Sequence, residues 1–397
     1  MKVLFLNPEQ YVDFENEPSN YQVRLPALNS GAITDYKDFV YQRTFKTSGM
    51  AAMNEEAINI FMNYQPDIVI NSMCWWQECL NYQTLTTMRL AGAKVISIFW
   101  DTWINALPHE TEIFLSSDIV LIMDSLSNYF KYRLLGEQQQ GTTKVIFSPI
   151  AVFTDLIKPI DIEKDIDVLM LGSREGQRTE LISYLEKNLI NTGINFQHIG
   201  GLVNDGKRKK NNTNEWINWE NYAKVINRSK ICLSSQTQPD RWQIKGKIFD
   251  FLASQTFCLT DNNPELQRFV PDRGVAYFND KADCLSQIYH YINNEKDRIS
   301  TAKIGYEWLT KTYSYKKFWQ NTLNFAKGNI AQISQLPGIE ETYQEFRNQQ
   351  ALIIRLQSAA IGQLAQLVNL GLEIKRLPVR AEGSYKNLNI LNVDERF

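Results

Sequence analysis

Two stretches of this chain pair charged side chains with the ends of apolar segments, where phosphate chemistry is commonly done. The first is Leu171–Arg178, LGSREGQR. It follows an apolar strand and opens a helix. Gly172 lets the backbone turn, the helix start offers unpaired N–H groups and a positive dipole end, and Arg178 can reach a diphosphate bidentately. The second is Gln243–Leu266, QIKGKIFDFLASQTFCLTDNNPEL, which reads as a helix, a short strand and a second helix start. Lys245, Lys247 and Asp250 crowd its first turn and a half. Lys247 and Asp250 share a helical face, so they could simply pair, although an exposed pair contributes only about 0.3–0.5 kcal/mol. Asn263-Pro264-Glu265 has the pattern of an N-cap followed by proline at the first helical position. Lys230 stands just ahead of the buried strand KICLSS, a place that usually belongs to a solvated edge. In the first half, Asp101 ends KVISIFWD and Asp124 ends DIVLIMD. Both are candidate bases or acceptor-orienting groups, with His109 a third, and each could instead cap a helix. Phe99, Trp100 and Trp103 could stack on a sugar or fill a core.

These residues need a frame, and the apolar runs supply one. KVLFLN (2–7), DIVINS (67–72), KVISIFWD (94–101), DIVLIMD (118–124) and KVIFSPI (144–150) alternate with helix-like stretches such as 52–64 and 77–92. Continuous apolar strands separated by helices predict a parallel sheet covered on both faces. Residues 148–166 carry two prolines and rising charge, as an interdomain crossing does. The pattern then restarts with DVLMLGS (167–173), a helix at 178–189, INFQHIGG (194–201), a helix at 219–228, KICLSS (230–235), VAYF (275–278) and helices at 281–293 and 296–310. Two such halves imply two Rossmann-like domains, with ligands at the carboxyl ends of the strands. The domains are read as 1–152 and 153–330. A long helix over 338–377 and a tail over 378–397 follow. Ile353, Leu356, Ala360, Gln363, Leu367, Leu370, Ile374 and Leu377 alternate by three and four, a heptad seam. It suits either packing on the body or a homodimer.

Composition narrows the class. Of 397 residues, 44% are hydrophobic and 22% charged, with a net charge of −2, so neither nucleic acid nor an anionic membrane is expected as partner. MKVLFLNPEQ lacks the form of a signal peptide, and no apolar run is long enough to span a membrane. The five cysteines, Cys74, Cys79, Cys232, Cys258 and Cys284, form no framework, which favours a reducing, cytoplasmic setting. The three histidines, His109, His198 and His290, are scattered, so no metal is expected. The basic run GKRKKNN (206–212) reads as a solvated loop.

The order of segments from Asp167 to about Trp319 resembles the C-terminal domain of GT-B glycosyltransferases. It is most similar to the spore-maturation-protein branch of the "glycosyl transferases group 1" clan. The segments that carry the likeness are LGSREGQR, YAKVINRSKICLSS, the 243–266 stretch, and GVAYFND with the helices after it. The resemblance implies a GT-B fold, transfer of a sugar from a nucleoside-diphosphate sugar to an unidentified acceptor, and no cofactor beyond that donor. It implies that Asp250 stands where a Glu holds the donor ribose, and that Lys245 and Lys247 neutralise its phosphates. Gly172, Ser173, Arg178, Lys230, Gln243, Asn263 and Glu265 are further donor-site candidates. Two departures stand out: Trp242 occupies the place of a second Glu, and Gln255 the place of a small residue. The loss of that Glu keeps alive a non-catalytic nucleotide-sugar or glycan-binding module, and the long helix keeps alive an interaction protein.

Overall fold

The computed structural model describes residues 1–9, 13–73, 78–100, 108–138, 143–200, 202–204, 207–209, 218–238, 242–332 and 338–369. The first sheet contains β1 (Lys2–Asn7), β2 (Asp35–Val40), β3 (Ile68–Ser72), β4 (Lys94–Phe99), β5 (Ile119–Ile122) and β6 (Lys144–Phe147). All are parallel, in the order β2-β1-β3-β4-β5-β6. The second domain contains β7 (Ile166–Leu171), β8 (Phe196–Ile199), a small hairpin of β9 (Leu202–Asn204) and β10 (Lys207–Lys209), β11 (Ser229–Leu233), β12 (Phe257–Asp261) and β13 (Ala276–Phe278). Its parallel sheet runs β13-β12-β11-β7-β8.

Strand alternation explains the unbroken apolar runs. Leu4 and Leu6 of β1 enter one core, while Val3 and Phe5 enter another on the opposite face. In β7, Val168 and Met170 likewise face away from Leu169 and Leu171. With both faces covered, polar residues are displaced to strand ends, which is where a site can form. β2 escapes the sequence reading for the converse reason. It is an edge strand with three exposed residues, Asp35, Tyr36 and Lys37, so it carries no apolar run.

Two elements alter the expected domain limits. The helix Tyr315–Ala326, placed by sequence in the second domain, crosses back to the first. Trp319, Leu323 and Ala326 pack with Val3, Phe5, Ile68, Ile70 and Ile96, and Gln320 Nε2 donates to Ser30 O at 2.6 Å. An apolar face of that shape finds its cover on the first sheet, so 153–330 is not one packing unit. Among the described side chains, the long helix Ile339–Asn369 docks by its first turns. Ile339, Tyr343 and Phe346 are buried, Arg133 lies 3.8 Å from the Tyr343 ring centroid, and it pairs with Glu340 at 2.8 Å. Beyond Gln350 the apolar side chains emerge: Leu352, Leu356 and Ile361 are 56%, 61% and 61% exposed. Residues 370–377 of the expected seam, and the side chains of Gln363 and Leu367 before them, lie outside what the structure describes.

Candidate active site between the two sheets

The carboxyl end of β7 runs into Gly172, whose φ of +124° a side chain would resist. A Cβ there would also lie 2.7 Å from Lys247 Nζ and 3.0 Å from Arg178 Nη1. The glycine therefore marks a point on which two cationic heads converge. Arg178 is the second residue of the helix Gln177–Leu189 and is buried. Its Nε and Nη2 donate to Ser235 O at 3.2 and 2.8 Å, and its Nη1 donates to Ser173 O at 3.1 Å. Lys247 is the second residue of the helix Gly246–Ala253 and donates to Leu171 O at 2.5 Å. The first turns of two helices and the ends of β7 and β11 thus meet here, with Ser173 among them.

Packing fixes this geometry. A Cβ on Gly200, after β8, would lie 1.9 Å from Gly172 O, and one on Gly176 would lie 1.9 Å from Thr237 O. His198 Nε2 bonds Gly172 O at 2.8 Å. Asp261, ending β12, accepts from Gln236 N at 2.6 Å and Ser235 Oγ at 3.2 Å, which holds the turn that receives Arg178. Burial pushes its carboxyl up to about 6. Lys247 is half-buried along its stem, and enclosure of its ammonium pushes its pKa well below the lysine range. The neighbouring Arg178 and Lys245 push it further down. Burial lowers His198 too, with Arg174, Arg178 and Lys247 adding to the effect.

The carboxylates have different partners. Asp250, 2% exposed, accepts from Tyr222 at 2.8 Å and from Tyr21, of the first domain, at 3.0 Å. Burial pushes it up to about 7 against the pull of the two hydroxyls. Glu265 is buried and accepts from the Leu126 and Ser127 amides at 2.9 and 3.3 Å. It thereby caps the first-domain helix Leu126–Gln138, and burial pushes it up to about 8 against those bonds. Asp124 accepts from Gln243 Nε2 at 3.1 Å, and its carbonyl accepts from Ile244 N at 2.7 Å. Asn263 caps the turn Pro264–Gln267 and donates to Gln243 O at 3.0 Å, while Lys245 bonds Gln243 Oε1. Gln243, Asn263, Glu265 and Asp124 thus form the seam between the domains.

Lys230 does not join them. It lies at the amino end of β11 and pairs with Asp167 at 2.7 Å, on the side of the sheet away from the strand carboxyl ends. A lysine at that end cannot reach a ligand at the other, which corrects its expected donor-site role. Asp101 and Trp103 lie outside the described residues. Phe99 is buried, edge-on to Tyr132, as core. His109 stands at the start of the helix Pro108–Leu115, half-buried, with the nearby Cys79 thiol raising its pKa. Cys79 and His109 follow β3 and β4, so both sit at the mouth of the first sheet. Sequence reasoning missed Tyr21, Trp219 and Tyr222. The i, i+3 spacing of the last two on one helix was the only local signal, and it reads equally as core. Among the described residues, no cluster of three or more His, Cys, Asp or Glu could hold a metal ion, and no helix is long and apolar enough to cross a membrane.

Residues 174–324 match the family model described as glycosyl transferase-like. No curated protein matches the chain. Among solved structures, the chain is similar to the sucrose-phosphate synthase of Thermosynechococcus elongatus, with TM-score 0.53 and 9% identity over 83% of this chain and 98% of that one. It is similar to Anabaena HepE in complex with UDP and glucose, with TM-score 0.52 and 10% identity over 83% and 100%. A glycosyltransferase of Rickettsia africae gives TM-score 0.52 and 11% identity over 82% and 98%. At such identities the likeness is one of fold, and the fold is GT-B: two Rossmann-like domains with a C-terminal helical extension.

Proposed function

We propose that this protein is a glycosyltransferase, metal-independent and of the hexosyl-transferring kind, that takes a sugar from a nucleoside diphosphate to an acceptor hydroxyl. The observation that carries this reading is the convergence of Lys247 and Arg178 over Gly172. Burial and the neighbouring Arg178 both disfavour the charge on Lys247, and an anion bound beside it would offset them. A diphosphate leaving group supplies that anion, and its growing charge in the transition state is what fixed cations and helix N-termini stabilise. Asp250, one turn further along the same helix, suits the ribose. The family match over 174–324 covers Arg178, Lys247 and Asp250, and the UDP in the HepE structure makes UDP the first nucleotide to try. Likeness to the spore-maturation-protein branch belongs to the same reading. The acceptor proton falls to Asp101, by its sequence position, or to His109. Asp124, held by Gln243 and the Ile244 amide, is the least suited.

The test is calorimetric titration with UDP, GDP, ADP and dTDP, followed by assay of nucleotide release from the matching hexose donors. Lys247→Ala and Arg178→Ala should each weaken the preferred diphosphate about 10- to 150-fold, the loss of one charge-assisted hydrogen bond. Binding without turnover would leave a nucleotide-sugar-binding module. Binding that ignores both substitutions would overturn the site.

The exposed part of the long helix favours a second role, self-association. Leu352, Leu356 and Ile361 are exposed past the docked turns, and from Ala351 to Leu372 the only charged residue is Arg355. Uncharged flanks let identical helices pair without repulsion and offer nothing to a charged partner. A chain ending at Gln350 keeps the docked turns. It should be a monomer by light scattering where the full chain is a dimer; equal masses would remove the idea.

A further inference from the structure

Tyr21 makes the two contacts that a nucleoside makes with a protein. Its ring lies flat on Trp219, with centroids 3.6 Å apart and planes 13° from parallel. Its hydroxyl donates to Asp250 Oδ1 at 3.0 Å. A nucleoside offers the same pair of groups, a flat ring that stacks and sugar hydroxyls that donate to a carboxylate. Tyr21 belongs to the first domain, whereas Trp219, Tyr222 and Asp250 belong to the second. Tyr21 is fully buried, so its ring fills the space between Trp219 and Asp250.

Two further observations set this contact apart from ordinary core packing. Tyr21 sits on a π-helical turn, Ser19–Arg24, a geometry that is rare and found mostly at functional sites. The Trp219 indole Nε1 is buried and, among the described residues, has no hydrogen-bond acceptor. A phenol ring stacked beside it leaves that donor unsatisfied, whereas a base carries carbonyl and ring-nitrogen acceptors at its edge. The cations lie at the right remove: Lys247 and Asp250 are three residues apart on one helix, about 4.5 Å of rise, comparable to the step from ribose to phosphate.

We propose that Tyr21 is an internal occupant of a nucleoside pocket, that Trp219 is the platform for the base of the donor, and that the donor enters by expelling Tyr21. This rests on the reading of the β7 mouth as the diphosphate site and adds to it the base platform and a competition within the chain. Tyr222 keeps its bond to Asp250 Oδ2 throughout, leaving Oδ1 to pass from the phenol to the ribose. Departure of Tyr21 also releases a contact between the domains, so nucleotide entry and separation at this point are one event.

The competition predicts an uncommon result, tighter binding on removal of a buried group. In calorimetric titrations of the full chain with UDP, GDP and ADP, Tyr21→Phe keeps the ring but gives up the bond to Asp250, and should bind the preferred nucleotide about tenfold more tightly. Tyr21→Ala should go further in the same direction. Trp219→Ala should weaken it about 5- to 150-fold, the range for loss of one stacked base. Inorganic pyrophosphate, which has no nucleoside, should bind the Tyr21 and Trp219 variants as it binds wild type and lose affinity with Lys247→Ala. If Tyr21→Phe binds UDP, GDP and ADP no more tightly than wild type while pyrophosphate still depends on Lys247, the internal occupant is wrong and the diphosphate site stands. If neither the nucleotides nor pyrophosphate respond to Lys247→Ala, both are wrong. Should Tyr21→Ala fail to fold, Tyr21→Phe decides the matter alone.

Discussion

Lys247 and Asp250 stand on the same face of one short helix, yet their partners come from different places. Lys247 turns to Leu171 O of its own sheet, and Asp250 turns to Tyr21 of the other domain. Arg178 and Glu265 repeat the contrast. The arginine bonds Ser173 O and Ser235 O within the second domain, while Glu265 caps a helix of the first. The cations at the β7 mouth are thus held by carbonyls of their own domain. The carboxylates each make a bond across the seam, Asp250 to Tyr21 beside its own-domain bond to Tyr222, and Glu265 to the Leu126 and Ser127 amides. A charge held within one domain depends on that domain alone for its geometry, as the proposed diphosphate site requires. A charge satisfied across the seam reports whether the cleft is closed.

The contrast is broken most severely at Asp250. Its carboxyl titrates at about 7, above its ordinary 3.8, because burial outweighs the two phenol hydrogen bonds. A group raised in this way holds its proton more tightly in the folded chain than in the unfolded one. The stability it contributes is complete below pH 3.8 and is lost as pH rises through about 7. Asp250→Asn cannot titrate. Wild type should therefore lose stability relative to this variant by up to about 4 kcal/mol between pH 4 and 7, at about 1.4 kcal/mol per unit. Urea midpoints of the pair across that range measure it. A constant difference would mean that the two tyrosines keep the carboxylate ionised.

Much of the β7 mouth was legible because its residues are local in sequence. A strand, a glycine and a helix start place Gly172 and Arg178 side by side, and the resemblance supplied Lys247. The seam was not legible, since Tyr21 reaches Asp250 across 229 positions from a stretch with no periodic pattern. The same limit explains Lys230, whose strand was read correctly while its partner Asp167 was not. It also explains the helix Tyr315–Ala326, whose packing on the first sheet no local pattern indicates. Local pattern fixes what an element is; the choice between two similar sheets depends on contacts that pattern does not carry.

The cation side of the comparison is sharpened by protons. Lys247 lies well below the lysine range because burial and Arg178 disfavour its charge. A diphosphate reverses both effects, so nucleotide binding should take up a proton at pH values above that depressed pKa. Heats measured in buffers of different ionisation enthalpy reveal the uptake. Affinity should fall as pH rises above the depressed pKa, by about tenfold per unit, or about 1.4 kcal/mol. Lys247→Arg, permanently charged, should show neither effect. A wild-type affinity flat up to pH 9 would mean that Lys247 is already charged in the free protein.

The smallest expected effect tests the carboxylate side at Glu265. Its two bonds to the Leu126 and Ser127 amides place a carboxylate of one domain on the helix start of the other. Removing a side-chain cap of this kind costs about 0.5–2 kcal/mol, and the helix dipole adds about 0.3–1 kcal/mol when the group is charged. Glu265→Gln keeps an oxygen that can accept while it removes the charge, so it separates these two contributions. Glu265→Ala should lose both, and Glu265→Gln, with one acceptor oxygen where wild type uses two, the second and one of the two bonds. Because burial lifts the carboxyl to about 8, the dipole contribution should emerge only above that pH, so in more acidic solution each variant should show only the cost of the hydrogen bonds it has lost. The loss should also appear as faster amide hydrogen exchange in the first turn of Leu126–Gln138, with the strands of the second sheet unaffected. If exchange at Leu126 and Ser127 is the same in Glu265→Ala as in wild type, the two domains do not depend on this bond, and the division between a fixed cationic mouth and a carboxylate seam fails at its clearest point.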